Sequence, residues 1–261
     1  MLKQRIITAV IAVALLGLVL FVVPQLYAEL FIALVVLMGA WEWSGFLGTE
    51  SVATRIFYVI FVASLMAAVG MIWPDGVEIV LQIAVVWWLL ALIWAFVFPT
   101  PIPRIVRWVC GALVLVPLYA ALVMLYQATP SLLLFVLLIV WAADIGAYFA
   151  GKQFGRVKLA PNISPGKTWE GVIGGLVLVA LLALVRSLWF ENDMAVIVPF
   201  CLAVAGMSII GDLTVSIFKR TAGLKDSGTL FPGHGGVLDR VDSVSAAAPL
   251  FALGLSWTGL G

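Results

Sequence analysis

The most constraining feature of this sequence is a series of near-continuous apolar runs, each about 20 residues long, the length of a helix that crosses a bilayer. Hydrophobic residues make up 64% of the chain and charged residues only 10%, against about 25% charged residues in a soluble domain. Such a chain cannot cover its apolar surface in water, so its solvent must be lipid. Backbone groups in hydrocarbon need partners within the protein, which leaves helices or a closed barrel. Barrel strands alternate in polarity over about ten residues. These runs do not alternate, so the sequence predicts an all-α polytopic integral membrane protein.

Pro, Gly and charged residues divide the apolar runs into about nine predicted transmembrane helices. The alternative for the first run is a signal peptide, because Lys3 and Arg5 precede it, but its length and the second run that follows at once favour a retained span. Cys110 and Cys201 lie inside apolar runs near opposite membrane faces, which favours packing roles over a disulfide. The predicted spans are residues 6–23, 27–47, 55–73, 78–98, 105–125, 131–150, 168–190, 194–217 and 243–260.

The basic residues predict the orientation, because cytoplasmic loops of membrane proteins are enriched in Lys and Arg. With the N-terminus in the cytoplasm, 13 of the 14 basic residues fall on the cytoplasmic side, and only Arg186 lies toward the outer end of a span. The outer loops carry Asp75, Glu78, Glu191 and Asp193 instead. The sequence therefore predicts a cytoplasmic N-terminus and a periplasmic C-terminus.

Charged residues also indicate where function lies along the chain. Residues 144–170 and 212–242 hold 14 of the 27 charged residues in 58 positions, and both stretches border the cytoplasm in the predicted topology. Glu42, near the inner end of the second span, is interpreted as a structural polar contact. We therefore predict that residues 1–130 form a transmembrane scaffold and that residues 131–261 carry the active site. The second region would contain two cytoplasmic loops, residues 151–168 and 218–242.

Asp212 is a carboxylate inside the predicted eighth span, within two turns of its cytoplasmic end. A charge there is costly unless it is paired or binds a metal. Asp239 and Asp242 are three residues apart, so they share a face where a helix begins. Mg²⁺ usually takes one or two protein carboxylates together with substrate phosphates. Asp212 and Asp239 are therefore candidate metal ligands.

A glycine-rich turn and several cations lie between these aspartates. Residues 232–236 read Pro-Gly-His-Gly-Gly, and the glycines allow backbone N–H groups to approach an anion closely. The chain's only histidine, His234, is interpreted either as a turn residue that bonds the backbone or as a phosphate contact. The alternative for the whole segment is a basic loop that touches anionic headgroups, which explains neither the acids among the bases nor the glycines. The candidate phosphate-binding cations are Lys219, Arg220, Lys225 and Arg240.

The run from Ser216 to Asp242 resembles the signature of the phosphatidate cytidylyltransferase family. The motifs cover about the C-terminal half of the chain, and length and hydropathy are similar throughout. The matching residues are Ser216, Lys219-Arg220, Lys225-Asp226, Pro232, His234-Gly235-Gly236, Asp239-Arg240 and Asp242. A second stretch is also similar to the family, with Trp141, Asp144, Tyr148, Gly151, Phe154-Gly155 and Ile163 through Gly171.

The resemblance implies an enzyme of phospholipid biosynthesis at the cytoplasmic side of the inner membrane. The phosphate of phosphatidic acid would attack the α-phosphorus of CTP, forming CDP-diacylglycerol and pyrophosphate. The resemblance also implies Mg²⁺, held by Asp212 and Asp239, a second cation such as K⁺, and a homodimer; nucleic acid is not an expected partner. The other predicted catalytic residues are Lys219, Arg220, Lys225, Asp226, His234, Arg240 and Asp242.

Asp144 and Tyr148 share a helix face and are expected to line a cavity or orient a cation. Ser164, Lys167 and Thr168 predict a polar helix start suited to anion binding. Glu170 either contributes there or complements the helix dipole. The full set of predicted substrate-binding residues is Asp144, Tyr148, Ser164, Lys167, Thr168, Ser216, Gly233, Gly235 and Gly236.

Two other functions compete with this prediction. A CTP-dependent polyprenol or phytol kinase would transfer the γ-phosphate to an alcohol and would need a general base. An ion-coupled transporter could use Asp144 and Asp212 as ion ligands, but transporters usually show two related halves with corresponding helix breaks. The polar residues of this chain are concentrated in its second half instead.

Overall fold

The computed structural model describes four stretches of the chain, with side chains described from residue 10 onward: residues 2–48, 51–73, 75–230 and 235–258. Within them the chain forms nine α-helices, a 3₁₀ turn at Gly45–Leu47 and a two-stranded hairpin. The helices are α1 (Leu2–Phe21), α2 (Gln25–Ser44), α3 (Val52–Met71), α4 (Val77–Val97), α5 (Arg104–Ala128), α6 (Pro130–Phe154), α7 (Trp169–Phe190), α8 (Met194–Thr221) and α9 (Leu238–Thr258).

Each helix overlaps one predicted span, so the polytopic helical class is confirmed. Seven helices, α2 to α8, are long and apolar enough to cross a membrane by length and composition. Helix α1 contributes a shorter apolar stretch, Val10–Phe21, within the described side chains. Helix α9 is the least apolar of the set, with Asp239, Arg240 and Asp242 in its first two turns.

The two predicted cytoplasmic loops are shorter and more structured than expected. Helix α6 continues to Phe154, and strands β1 (Lys158–Ala160) and β2 (Ser164–Thr168) follow it as an antiparallel hairpin. The turn between the strands contains Pro161 and Asn162, residues that favour tight turns. Helix α8 likewise continues to Thr221, and α9 begins at Leu238. The all-α prediction is therefore corrected by one hairpin. The segments between the helices shorten to residues 155–168, which contain the hairpin, and 222–237, of which residues 231–234 lie outside the described part of the chain.

Helix α4 shows how the outer helices meet lipid. Only 22% of the most apolar 18-residue stretch of α4 is buried inside the protein, so most of the helix surface faces outward. That surface is apolar, with exposed side chains including Ile79, Ile83, Leu90 and Ile93. An apolar face of this extent is stable against hydrocarbon but not against water.

Helix α9 lies at the centre and packs against α8, α5 and α4. Residues Ser243 to Pro249 are all buried, and most of them are Ser or Ala. Small residues let neighbouring backbones approach closely within a membrane bundle. Because other helices rather than lipid surround α9, it tolerates low hydrophobicity, and its first turn can carry charges.

Aromatic packing fixes the C-terminal end of α8 against the scaffold. The Phe218 ring lies 4.8 Å from that of Trp43 on α2 and 5.7 Å from that of Trp94 on α4, between centroids. Trp43 Nε1 donates a hydrogen bond of 2.9 Å to the carbonyl oxygen of Arg107 on α5. Phe218 directly precedes Lys219, so three scaffold helices hold the position of that cation.

Candidate active site

The C-terminal end of α8 and the N-terminal end of α9 bring the predicted aspartates and Lys219 together. A side chain at Gly211 would press against the backbone oxygen of Asp242, so the glycine permits the close approach of the two helices. Asp212 follows Gly211 on α8, and Asp239 and Asp242 lie on the first turns of α9. The charged residues that the sequence predicted to be functional therefore face one another across the contact between α8 and α9.

Lys219 forms the centre of a buried charge cluster. Its Nζ atom lies 2.9 Å from Asp239 Oδ1 and 3.6 Å from Asp242 Oδ2. The side chains are only 10%, 7% and 11% exposed, respectively. Removing one member would weaken the compensation of the buried charges that remain, which is destabilising. The predicted common face of Asp239 and Asp242 is confirmed, and Lys219 is held among carboxylates rather than at the surface.

The second carboxylate oxygen of Asp239 binds the backbone at two places, Ser227 and Gly236. Asp239 Oδ2 accepts hydrogen bonds from Ser227 N (2.8 Å) and Gly236 N (2.9 Å). Asp239 precedes the apolar part of α9, residues 243–258. Burial raises the pKa of its carboxyl, but the hydrogen bonds from Gly236 and Lys219 outweigh it, so the pKa lies below its ordinary value. The Gly236 N–H, predicted to face an anion, therefore binds a carboxylate of the chain itself.

The hairpin supplies the partner of Asp212. Lys167 Nζ lies 2.6 Å from Asp212 Oδ2, with both side chains about one quarter exposed. Ser216, one turn further along α8, donates from Oγ to Asp212 Oδ1 over 3.2 Å. The charge that the sequence places inside the eighth span is therefore paired, and residues of both predicted motif stretches meet at this point.

A cavity of about 210 Å³ lies beside this ion pair and is lined by Asp144, Tyr148, Lys167 and Thr168. Asp144 and Tyr148 are one turn apart on α6 and line the same cavity, and their expected part in binding substrate or orienting a cation stays a prediction. Asp144 also lies close enough to Asp212 and Arg240 to interact with them electrostatically. The cavity thus carries both signs of charge.

The predicted polar helix start is correct only for Thr168. Its side chain caps α7 by accepting a hydrogen bond of 3.1 Å from Gly171 N. Ser164 and Lys167 lie on strand β2 instead, because this stretch pairs with Lys158–Ala160 before the helix begins. Glu170 lies in the first turn of α7, where it complements the helix dipole, and its carboxylate also accepts the Val157 N–H at 3.2 Å.

The remaining predicted cations, Arg220, Lys225 and Arg240, lie at the edge of the charge cluster. Arg220 Nε donates to the carbonyl oxygen of Ile163 over 3.1 Å, which ties α8 to the hairpin turn. Lys225 and Asp226 are exposed on the loop after α8, and Arg240 is exposed on α9. His234 and Gly233 lie outside the described residues, so their predicted roles stay predictions.

One residue of the site was not among the predicted functional residues. The Glu42 carboxylate, on scaffold helix α2, accepts hydrogen bonds from Ser227 Oγ, Val237 N and Leu238 N, all 2.8 to 2.9 Å long. The interpretation of Glu42 as a structural polar contact is consistent with this geometry. What it contacts is the segment that leads into Asp239. A carboxylate near the C-terminal end of an apolar span was the only sequence signal available.

The donor set fits a divalent cation bound jointly with phosphates. No group of three or more His, Cys, Asp or Glu side chains surrounds a common metal position among the described residues. Mg²⁺ needs only one or two carboxylates when substrate phosphates supply further oxygens. Asp212 and Asp239 each keep lone pairs beyond those used in the contacts above, since a carboxylate offers about four acceptor positions.

Comparisons with known proteins identify the family of the chain. The chain matches a family model described as the cytidylyltransferase family over residues 3–257. A protein of Pseudomonas aeruginosa named phosphatidate cytidylyltransferase is 43% identical over an alignment of 272 positions, gaps included, which covers 100% of this chain and 99% of that protein. A protein of the same name from Haemophilus influenzae is 36% identical over an alignment of 281 positions, gaps included, which covers 97% of this chain and 98% of that protein.

Proposed function

The chain belongs to the cytidylyltransferase family, and on that premise we propose that it is a phosphatidate cytidylyltransferase. It transfers the cytidylyl group of CTP to phosphatidic acid. A phosphate oxygen of the lipid bonds to the α-phosphorus of CTP, the bond from that phosphorus to the bridging oxygen of the β-phosphate breaks, and pyrophosphate leaves. The lipid phosphate is already anionic, so the reaction needs no general base.

The observation that carries the proposal is the meeting of the two motif stretches at Asp212. The Lys167–Asp212 pair joins the hairpin to α8, and the Lys219–Asp239 pair joins α8 to α9. Phosphoryl transfer between two anionic partners depends on positioning and charge neutralisation. The acids and cations held together by these contacts supply the positioning, and charge neutralisation would need a bound divalent cation in addition.

Mg²⁺ is the cation that we assign to Asp212 and Asp239. When bound, it would neutralise negative charge on the CTP phosphates. The chain's own residues then divide the remaining work. Lys167, with 28% of its side chain exposed, is accessible to a phosphate group beside Asp212. Lys219 Nζ contacts both Asp239 and Asp242, so we assign Lys219 to orienting these two carboxylates.

The diacylglycerol part of phosphatidic acid has a matching apolar surface nearby. A cavity of about 510 Å³ lies between α4, α7, α8 and the hairpin, and its lining includes Phe96, Trp169, Met207 and Leu213. Leu213 directly follows Asp212, so this surface leads to the proposed reaction centre. Acyl chains buried there would be shielded from water while the phosphate lies among the charges.

The topology that we propose has nine spans, with the N-terminus and the active site in the cytoplasm at the inner membrane. The strong bias of basic residues to one side supports this orientation. The burial of α9 by other helices supports counting it as a span despite its lower hydrophobicity. A periplasm-specific reporter fused to the C-terminus should be active, and activity of a cytoplasm-specific reporter there would refute the proposed topology.

Radiolabelled CTP tests the reaction directly. Purified protein with phosphatidic acid and Mg²⁺ should move α-label into lipid and release γ-label as pyrophosphate. Transfer of γ-label into lipid would instead identify a lipid kinase. Flux of a substrate into liposomes without nucleotide turnover would identify a transporter. A homodimer and a second cation such as K⁺ stay predictions, which cross-linking and replacement of K⁺ by a larger organic cation would test.

A further inference from the structure

We infer that Glu42 is a positioning residue for the reaction, acting from the scaffold half of the chain through the backbone that leads into Asp239. The inference rests on the proposed function, since it assigns to Asp239 a part in turnover. Its basis is a set of contacts that joins α2 to the start of α9.

The Glu42 carboxylate caps the N-terminus of α9 from a different helix. It accepts the N–H groups of Val237 (2.9 Å) and Leu238 (2.8 Å), which have no partner within α9. A carboxylate at this position also interacts favourably with the positive end of the helix dipole. Asp239 is the next residue in the chain, so the cap holds the backbone that carries it.

Ser227 connects Glu42 to Asp239 a second time. Its hydroxyl donates to Glu42 Oε2 over 2.8 Å, while its backbone N–H donates to Asp239 Oδ2 over 2.8 Å. The Glu42 and Asp239 carboxylates therefore accept hydrogen bonds from the same residue. A shift of Glu42 would move Ser227 and release one of the three contacts that orient Asp239.

The two adjacent glycines make room for these carboxylates. A side chain on Gly235 would clash with Asp239, and one on Gly236 would clash with Glu42. Gly235 also adopts a positive φ of 78°, which favours glycine. A side chain on Gly228 would meet Glu42 as well. These glycines therefore leave space for the carboxylates of the chain itself, and at Gly228 and Gly236 that carboxylate is Glu42.

The test compares Glu42→Gln with Glu29→Gln. Both residues are partly buried on α2 and accept side-chain hydrogen bonds, but Glu29 lies toward the opposite end, where it binds Gln25 and Gln127. Replacing one Glu42 oxygen with an NH₂ group sets donor against donor. Loss of a positioning contact of this kind costs roughly 10–100-fold in activity. We expect that loss in kcat for Glu42→Gln, with the KM for phosphatidic acid changed less than about threefold. Glu29→Gln should behave like the unsubstituted protein.

Hydrogen exchange provides the readout that does not depend on activity. The amides of residues 235–240 should exchange faster in Glu42→Gln, at an unchanged melting temperature in detergent. Wild-type kcat in Glu42→Gln, or a loss fully accounted for by a lower folded fraction, would overturn the inference. If Glu42→Gln does not fold, Ser227→Ala decides, because it removes one of the contacts and leaves the charge in place. It should lower kcat at unchanged melting temperature, and wild-type kcat would overturn the inference. Failure of the unsubstituted protein to convert CTP and phosphatidic acid would refute the proposed function instead.

Discussion

Replacement of Asp239 by Asn is the sharpest perturbation of the proposed site. The substitution keeps the shape of the side chain but removes its charge and turns one oxygen into an NH₂ group. Asp239 now uses one oxygen for Lys219 and the other for two backbone N–H groups. An amide can satisfy only one of these two sides, because its nitrogen faces donors on the other.

The magnitude follows from these contacts. Breaking a buried ion pair by removing one partner costs about 3–5 kcal/mol. If that cost falls on the orientation of the site during turnover, it corresponds to a loss of about 10²–10⁴ in rate, at 1.36 kcal/mol for each factor of ten. Lys219 keeps Asp242 at 3.6 Å, so its charge is not left wholly without a partner. We therefore expect Asp239→Asn to fold and to lose at least about 100-fold in kcat.

The assay is transfer of α-labelled cytidylate into lipid, with the melting temperature measured on the same preparation. Asp193→Asn is the matched control. Asp193 caps the N-terminal end of α8 by accepting the N–H of Ala195 over 2.8 Å, and Asn caps a helix about as well as Asp. The control should keep near-wild-type activity and stability.

Two results would refute this reasoning. Activity of Asp239→Asn within about threefold of the unsubstituted protein would mean that the carboxylate does not take part in turnover. An equal loss of activity in Asp193→Asn would mean that removing any carboxylate from the α8–α9 region disables the enzyme, so the site would be wrongly located.

Three further predictions follow from neighbouring contacts. Gly211→Ala should lower the melting temperature, because overpacking against α9 costs about 1–3 kcal/mol, whereas Gly206→Ala, where an added side chain meets nothing within 4 Å, should not. Lys167→Ala should reduce kcat/KM for CTP by about 10-fold or more, as loss of a charged hydrogen bond costs about 1.5–3 kcal/mol. Lys158→Ala, an exposed cation of the same hairpin, should change it little. Removal of divalent ions with EDTA should abolish label transfer, and added Mg²⁺ should restore it.

The sequence predicted the acids of the site better than the roles of its cations. Asp212 and Asp239 stood out because charge inside or beside an apolar span needs a partner, and the structure pairs both. Lys219 looked like a phosphate ligand by composition alone. Its burial between Asp239 and Asp242 depends on how closely α8 approaches α9, which no local pattern encodes.

The features that the sequence did not predict depend on contacts between residues that are far apart in the chain. Glu42 is 185 residues from Ser227 and 196 from Leu238, so its partners appear only when α2 and α9 pack together. The hairpin was missed for a different reason. Its strands are three and five residues long, too short to show an alternation of polar and apolar residues. Thr168 does cap α7, and the prediction wrongly included the neighbouring Ser164 and Lys167 in the same helix start.

The charge balance of the assembled site gives a physical reason for a cation requirement. Asp144, Asp212, Asp239 and Asp242 face Lys167 and Lys219, with Arg240 close enough to act on Asp144. With every group ionised, the acids exceed the bases by one charge. CTP and phosphatidic acid add several more negative charges, so the substrates would be repelled at short range unless a divalent cation enters with them. The need for Mg²⁺ should therefore be evident in the affinity for CTP, before any chemical step.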